Sequence, residues 1–169
     1  IESAQYEEAA KDCQRLLRLS PDEFSYYLTY ARVLSETDDF DLAVSNAQTY
    51  LSLFPEADEA YNELGYISYK NKKYLDAISY LNKAIENETG KAPYYYNRGQ
   101  AYAATGMHKY ADKDYAMALD LDPNDPETWY AKGISDLEQG NTVKACYEFK
   151  KALQYGYKEA LDYVQKICN

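Results

Sequence analysis

An all-α solenoid of stacked helical hairpins is the fold this sequence predicts, from columns of residues in a fixed register and from the lack of any strand pattern. Alanine recurs at Ala9, Ala43, Ala77, Ala111 and Ala145, 34 residues apart each time. In step with it run a large aromatic column (Tyr27, Tyr61, Tyr95, Trp129, Tyr163) and an aliphatic one (Leu17, Leu51, Ile85, Leu119, Leu153). β-Branched residues never cluster with period two, so no strand competes. A period of 34 that holds two helices of about 14 residues fits a hairpin repeat. One hairpin cannot bury its apolar face alone and must stack on its neighbours.

The elements follow in order. The first helix covers about 4–19, with Tyr6, Ala9, Ala10, Cys13, Leu16 and Leu17 along one face, and Pro21 stops it. A second, at 24–37, carries Tyr27, Tyr30, Ala31 and Leu34. Asp38-Asp39 turns the chain into a third at 40–53, closed by Pro55. The pattern repeats as a helix at 58–70, a turn at Asn71-Lys72, a helix at 74–87 and a break at Asn87-Glu88-Thr89-Gly90. Helices at 92–105 and 108–121 flank Gly106-Met107, and the run Asp122-Pro123-Asn124-Asp125-Pro126 breaks the chain after them. Helices at 126–139 and 142–155 flank Gly140-Asn141, and after Gly156 a last helix at 158–168 closes the chain.

The residue types have a packing rationale. Alanine in each second helix, and Gly65, Gly99, Gly133 or Ala31 in each first helix, remove bulk where paired helices cross. Tyr27 and its equivalents fill the space between hairpins. If Trp129 is core, Trp129→Ala costs about 3–5 kcal/mol.

Composition narrows the functions. With 28 acidic against 18 basic residues the net charge is −10, which repels nucleic acid and anionic membrane surfaces alike. Hydrophobic residues make up 46%, enough for a core, and no apolar run is long enough to span a bilayer, so a soluble protein is expected. His108 is the single histidine and reads as a surface or hairpin-packing residue. None of the phosphate-loop, dinucleotide, metalloprotease or nucleophile-elbow motifs occurs, so neither enzyme, cofactor nor metal site is expected. Cys13, Cys146 and Cys168, an odd count without CxxC spacing, read as small buried hydrophobes rather than a disulfide framework. Asn87-Glu88-Thr89 matches a glycosylation acceptor, a pattern common by accident. The opening Ile1-Glu2-Ser3 lacks an initiator methionine and a signal sequence, which reads as a trimmed or excised chain. The cytoplasm is favoured, with a periplasmic or secretory compartment open if a signal was removed.

In these columns the chain resembles the tetratricopeptide repeat family across nearly its whole length. The fullest match is Tyr95, Gly99, Tyr102, Gly106, Ala111, Tyr115, Ala118 and Pro123, followed by Trp129, Gly133, Gly140, Ala145, Phe149 and Ala152. Residues 58–91 keep Tyr61, Leu64, Gly65, Ala77, Leu81 and Ala84; residues 24–57 diverge most, keeping Tyr27, Ala43 and Pro55. The resemblance implies one domain over 1–169. It divides into a second helix of an incomplete repeat (4–23), units at 24–57, 58–91, 92–125 and 126–159, and a capping helix (160–169). It also implies a right-handed superhelix, with first helices lining a concave groove.

On that arrangement Asn62, Tyr66, Tyr69, Tyr96, Asn97, Gln100, Tyr130 and Ile134 fall on the groove side and suit an extended peptide. The amides would grip its main chain and the tyrosines its apolar side chains. One subgroup of the family clamps chaperone C-terminal carboxylates with basic residues, but here Glu59, Glu63 and Glu127 occupy the groove side. The expected partner is another protein, through a neutral-to-basic or aromatic and apolar segment. The alternative is a homo-oligomer packed through terminal helices, since the helix at 4–19 would expose Ala9, Cys13 and Leu16.

Overall fold

A computed structural model describes residues 2–168, and among them ten helices and no strand. The helices are α1 (Glu2–Leu19), α2 (Ser25–Glu36), α3 (Phe40–Leu53), α4 (Asp58–Lys70), α5 (Tyr74–Asn87), α6 (Ala92–Ala104), α7 (His108–Leu121), α8 (Pro126–Glu138), α9 (Thr142–Gln154) and α10 (Ala160–Ile167). They form two compact units, α1–α5 ending at Thr89 and α6–α10 starting at Gly90. Within each, consecutive helices pack antiparallel as hairpins: α2 with α3 and α4 with α5 in the first, α6 with α7 and α8 with α9 in the second.

Local chemistry sets the turns. Gly106, Gly140 and Gly156 adopt φ of 76°, 79° and 104°, just past the ends of α6, α8 and α9. The amides of the next residues, Met107, Asn141 and Tyr157, donate back to the Tyr102, Asp136 and Ala152 carbonyls, so each helix ends in the six-to-one closure that a left-handed residue permits. Asp38 and Lys72 take the same conformation, φ 60° and 59°, without being glycine. Pro126 opens α8, where Asp125 caps the first turn by accepting from the Thr128 amide at 3.1 Å.

The small-residue columns make room for side chains. A Cβ placed on Gly65 would stand 2.5 Å from Leu81 Cγ, on Gly99 2.7 Å from Tyr115, and on Gly133 2.9 Å from Phe149. Each pair is sixteen residues apart and joins the two helices of one hairpin. In α2–α3 the corresponding pair is Ala31 and Ala47, both fully buried. The first unit's core gathers these alanines with Cys13, Tyr30, Leu34, Leu64 and Ile67; the second closes at its end on Ala145, Phe149, Ala152 and Ala160.

Two expectations need correction. Trp129 is only partly buried, its indole nitrogen donating to the Pro123 carbonyl at 2.9 Å, so it is a tethered edge residue rather than core. Cys146 and Cys168 form a disulfide between α9 and the residue after α10, with Cα atoms 5.3 Å apart; Cys13 alone is a small buried hydrophobe. The α1 face is also less open than expected: Cys13 is buried on the next hairpin, while Tyr6, Leu16 and Leu19 stay exposed.

Candidate functional site

In the first unit, the facing sides of α2 and α4 are strapped together by charge. The Arg32 guanidinium donates to both carboxylate oxygens of Glu63, at 2.8–3.1 Å, and lies 5.5 Å from the centre of the Tyr66 ring. The Tyr66 hydroxyl donates to one oxygen of Glu36 and Lys70 Nζ to the other, at 2.5 and 3.1 Å. Burial alone would raise the Glu36 carboxyl, but the Tyr66 and Lys70 hydrogen bonds outweigh it and hold it below the usual range. Burial and the Glu36 bond together push the Tyr66 phenol well up, so it remains a donor. The 34-residue register explains the strap, since Arg32 and Tyr66 share one column and Glu36 and Lys70 another.

The strap decides what this unit offers a ligand. Tyr66 spends its hydroxyl and one ring face internally. Asn62 is 6% exposed, within the interior. Tyr69 is half-buried against Tyr74, ring centres 5.7 Å apart, and burial raises its phenol. Glu63 is paired with Arg32, so the carboxylate expected to repel acidic ligands here is already matched.

In the second unit, ionic ties run inside the hairpins. Arg98 donates to both oxygens of Asp114 at 2.7 and 2.8 Å, joining α6 to α7. One register on, Lys132 reaches Glu148 across α8–α9 and Asp136 along α8, at 2.5 and 3.0 Å. Two buried carboxylates thus share one ammonium. Burial pushes the Glu148 carboxyl up to about 7 despite Lys132, while Asp136, bonded by Asn141 and Lys132, is held low. Ser135 of α8 and Gln139, the residue directly after that helix, both donate to Asp112 of α7, at 2.9 and 2.8 Å.

Tyr96 and Gln100 meet: the Gln100 amide donates to the Tyr96 hydroxyl at 2.9 Å, and the Tyr96 ring stands 6.2 Å from Tyr115. Asn97 is half-buried between them in sequence. A recess of about 260 Å³ opens beside Tyr96, walled by Ala92 and Pro93 of α6 and by Thr128 and Glu127 of α8, with Asp122 and Asp125 from the linker. Three carboxylates and no basic side chain line it. Tyr130 is engaged elsewhere. Its ring lies 4.6 Å from Tyr157, 5.6 Å from Phe149 and 5.7 Å from Tyr163, and burial with the Tyr163 bond pushes its phenol up to about 12. Ile134 packs partly buried on the same cluster. His108 sits at the start of α7 with Nδ1 3.5 Å from a Glu138 carboxylate oxygen.

Among the described residues no three histidine, cysteine or carboxylate side chains converge as a metal site, and no helix is long and apolar enough to cross a membrane. Models of the tetratricopeptide repeat match residues 28–95 and, separately, 92–125. The chain belongs to the tetratricopeptide repeat family. Among its relatives, DnaJ homolog subfamily C member 7 of Mus musculus is 31% identical over 102 residues, 60% of this chain and 21% of that protein. Tetratricopeptide repeat protein 13 of Homo sapiens is 25% identical over 169 residues, 97% of this chain and 19% of that protein. The tetratricopeptide repeat chain thus spans about a fifth of these curated relatives. The crystal structure of a thermophilic tetratricopeptide repeat protein of Thermus thermophilus superposes with a TM-score of 0.81 at 23% identity, covering 98% of this chain and 90% of that one. That likeness is one of fold. Tetratricopeptide repeat proteins generally mediate protein–protein interaction, and the fold is that of a repeat scaffold.

The buried ion pairs escaped the reading of sequence columns, which followed apolar residues only. A signal was there: Arg98 and Lys132 share a column, as do Asp114 and Glu148, sixteen residues on in the paired helix.

Proposed function

We propose that this chain is a non-enzymatic interaction module that takes a peptide or helix of another protein on its first-helix side, with Tyr96 as the anchor in the second unit. The observation that carries the reading is the recess beside Tyr96. It pairs an aromatic wall with a rim of Asp122, Asp125 and Glu127, and no cation lines it. A neutral-to-basic segment with aromatic or apolar side chains suits that lining, and an acidic segment does not. Asn97, next to Tyr96 in sequence, and Gln100, one turn along α6, are the amides assigned to the ligand main chain; Tyr66 contributes by tying α4 to Glu36 of α2.

Panning a random peptide library on the immobilised chain tests this. Enrichment of lysine- or arginine-bearing sequences with aromatic residues, lost on Tyr96→Ala and weakened on Glu127→Lys, is the expected result. Recovery of acidic sequences, or of the same sequences by the Tyr96→Ala chain, refutes it.

A second reading, self-association through α1, rests on Tyr6, Leu16 and Leu19 at 39%, 40% and 69% exposure on one helix. Light scattering against concentration decides it: growth beyond the monomer that Leu16→Glu abolishes supports association through α1, and a constant monomer mass removes it.

A further inference from the structure

The Cys146–Cys168 bond shares no residue with the recess beside Tyr96, and its position in the second unit is specific. Cys146 lies one turn into α9, and Cys168 is the residue directly after α10, 22 residues later. The bond therefore fastens the far end of an eight-residue helix to the hairpin on which it lies. A helix that short is marginal without tertiary support. α10 packs chiefly on α9, and Ala160 is its single fully buried residue; Tyr163, Val164 and Ile167 are half-buried, and Leu161 is 44% exposed.

What α10 covers is aromatic. The Tyr163 ring stacks on Phe149 at 4.5 Å and meets Tyr130 edge-on at 5.7 Å, and Phe149 is fully buried as a result of its place between Gly133 and this ring. Lifting α10 removes that cover and opens Phe149, Tyr130 and Ile134 to water together.

We propose that Cys146–Cys168 is a thiol-exchange site whose redox state decides whether α10 covers the aromatic end of α8–α9. The reactant is a dithiol, either a small molecule or a reductase of the dithiol class. Its thiolate attacks the Cys168 sulfur. The Cys146–Cys168 bond breaks, and its electron pair leaves on Cys146, which takes up a proton. The donor's second thiolate then attacks the mixed disulfide, releasing Cys168 as a thiolate that is protonated in turn. The protein gains two electrons and two protons, and the donor becomes a disulfide. In an oxidising compartment the clasp stays shut; in a reducing one it opens.

Closing a loop of this length lowers the opening probability of its end by about two orders of magnitude. The experiment is hydrogen–deuterium exchange by mass spectrometry on the full chain, oxidised with glutathione disulfide and then reduced with dithiothreitol. Exchange at 160–167 should rise by about that factor on reduction while 126–154 changes little. Cys168→Ser should show the fast pattern without reductant and no further response to it. Equal protection of α10 in both states overturns the proposal. So does alkylation showing Cys146 and Cys168 both free after oxidation. Loss of protection along the whole of α6–α9 on reduction also overturns it, since the bond would then be a general stabiliser rather than a local clasp.

Discussion

Lys72 stands at φ 59°, the conformation that glycine fills at positions 106 and 140. A side chain there crowds the following carbonyl, at a cost of about 1 kcal/mol, so Lys72→Gly should raise stability by up to about that amount in urea melts. Gly140→Ala should cost a similar amount, because φ of 79° strains any Cβ even though open space surrounds it. Glu148 gives a second residue-level prediction. Its carboxyl is raised to about 7 by burial, and its Oε2 has no hydrogen-bond partner, so the folded state binds a proton there that the unfolded chain releases near its ordinary value. Stability from this group is therefore full below about pH 4.5 and falls as pH rises toward 7. Lys132 offsets part of this and Asp136 adds to it. Glu148→Gln should remove the slope, leaving the variant about 1–2 kcal/mol more stable relative to wild type at pH 7.5 than at pH 5; parallel slopes in melts across that range would refute it. Trp129 is tied at its nitrogen but half open, edge-on to Tyr147 at 6.0 Å, so Trp129→Ala should cost about 2 kcal/mol rather than the 3–5 of a core ring.

Hairpins are built on the pairs sixteen residues apart. Gly133→Ala drives a methyl into the Phe149 ring and should lower stability by about 1–3 kcal/mol, and adding Phe149→Leu should restore part of it. Additive losses in the double variant would show that the two residues do not meet. Helix bounds were legible because punctuation fixes them: Pro55, the Asp38-Asp39 pair and the Asn71-Lys72 turn mark α3, α4 and α5 where periodicity alone would leave them loose. The candidate site was legible only in part. Helical geometry put Tyr96, Asn97 and Gln100 on one face, yet it carries no information on what neighbouring helices already claim. Tyr66 was lost to Glu36, Asn62 to the interior and Tyr130 to the α10 cluster for that reason. The disulfide was unreadable because three cysteines allow three pairings, and only the return of α10 along α9 selects one.

At the scale of the whole chain the net charge of −10 survives the internal pairing. Arg32, Lys70, Arg98 and Lys132 are matched by Glu63, Glu36, Asp114 and the Asp136–Glu148 pair within their units, so nearly the whole acidic excess stays outside these ion pairs. Binding of a basic peptide from the library should weaken about tenfold between about 0.05 and 0.5 M salt in titration calorimetry; an affinity indifferent to salt would make the contact apolar. The paired columns also bear on how such a gene can recombine. A chimera joining α2 to α5 would set Ala31 against Leu81, where an added Cβ stands 2.5 Å from the leucine. The reciprocal chimera, α4 with α3, would set Gly65 against Ala47 and leave a void. Duplication or exchange of whole hairpins keeps each knob with its own notch, whereas a crossover between the two helices of a hairpin separates them. Heredity in this chain should therefore move in hairpin-sized pieces, with viable junctions in the linkers between hairpins.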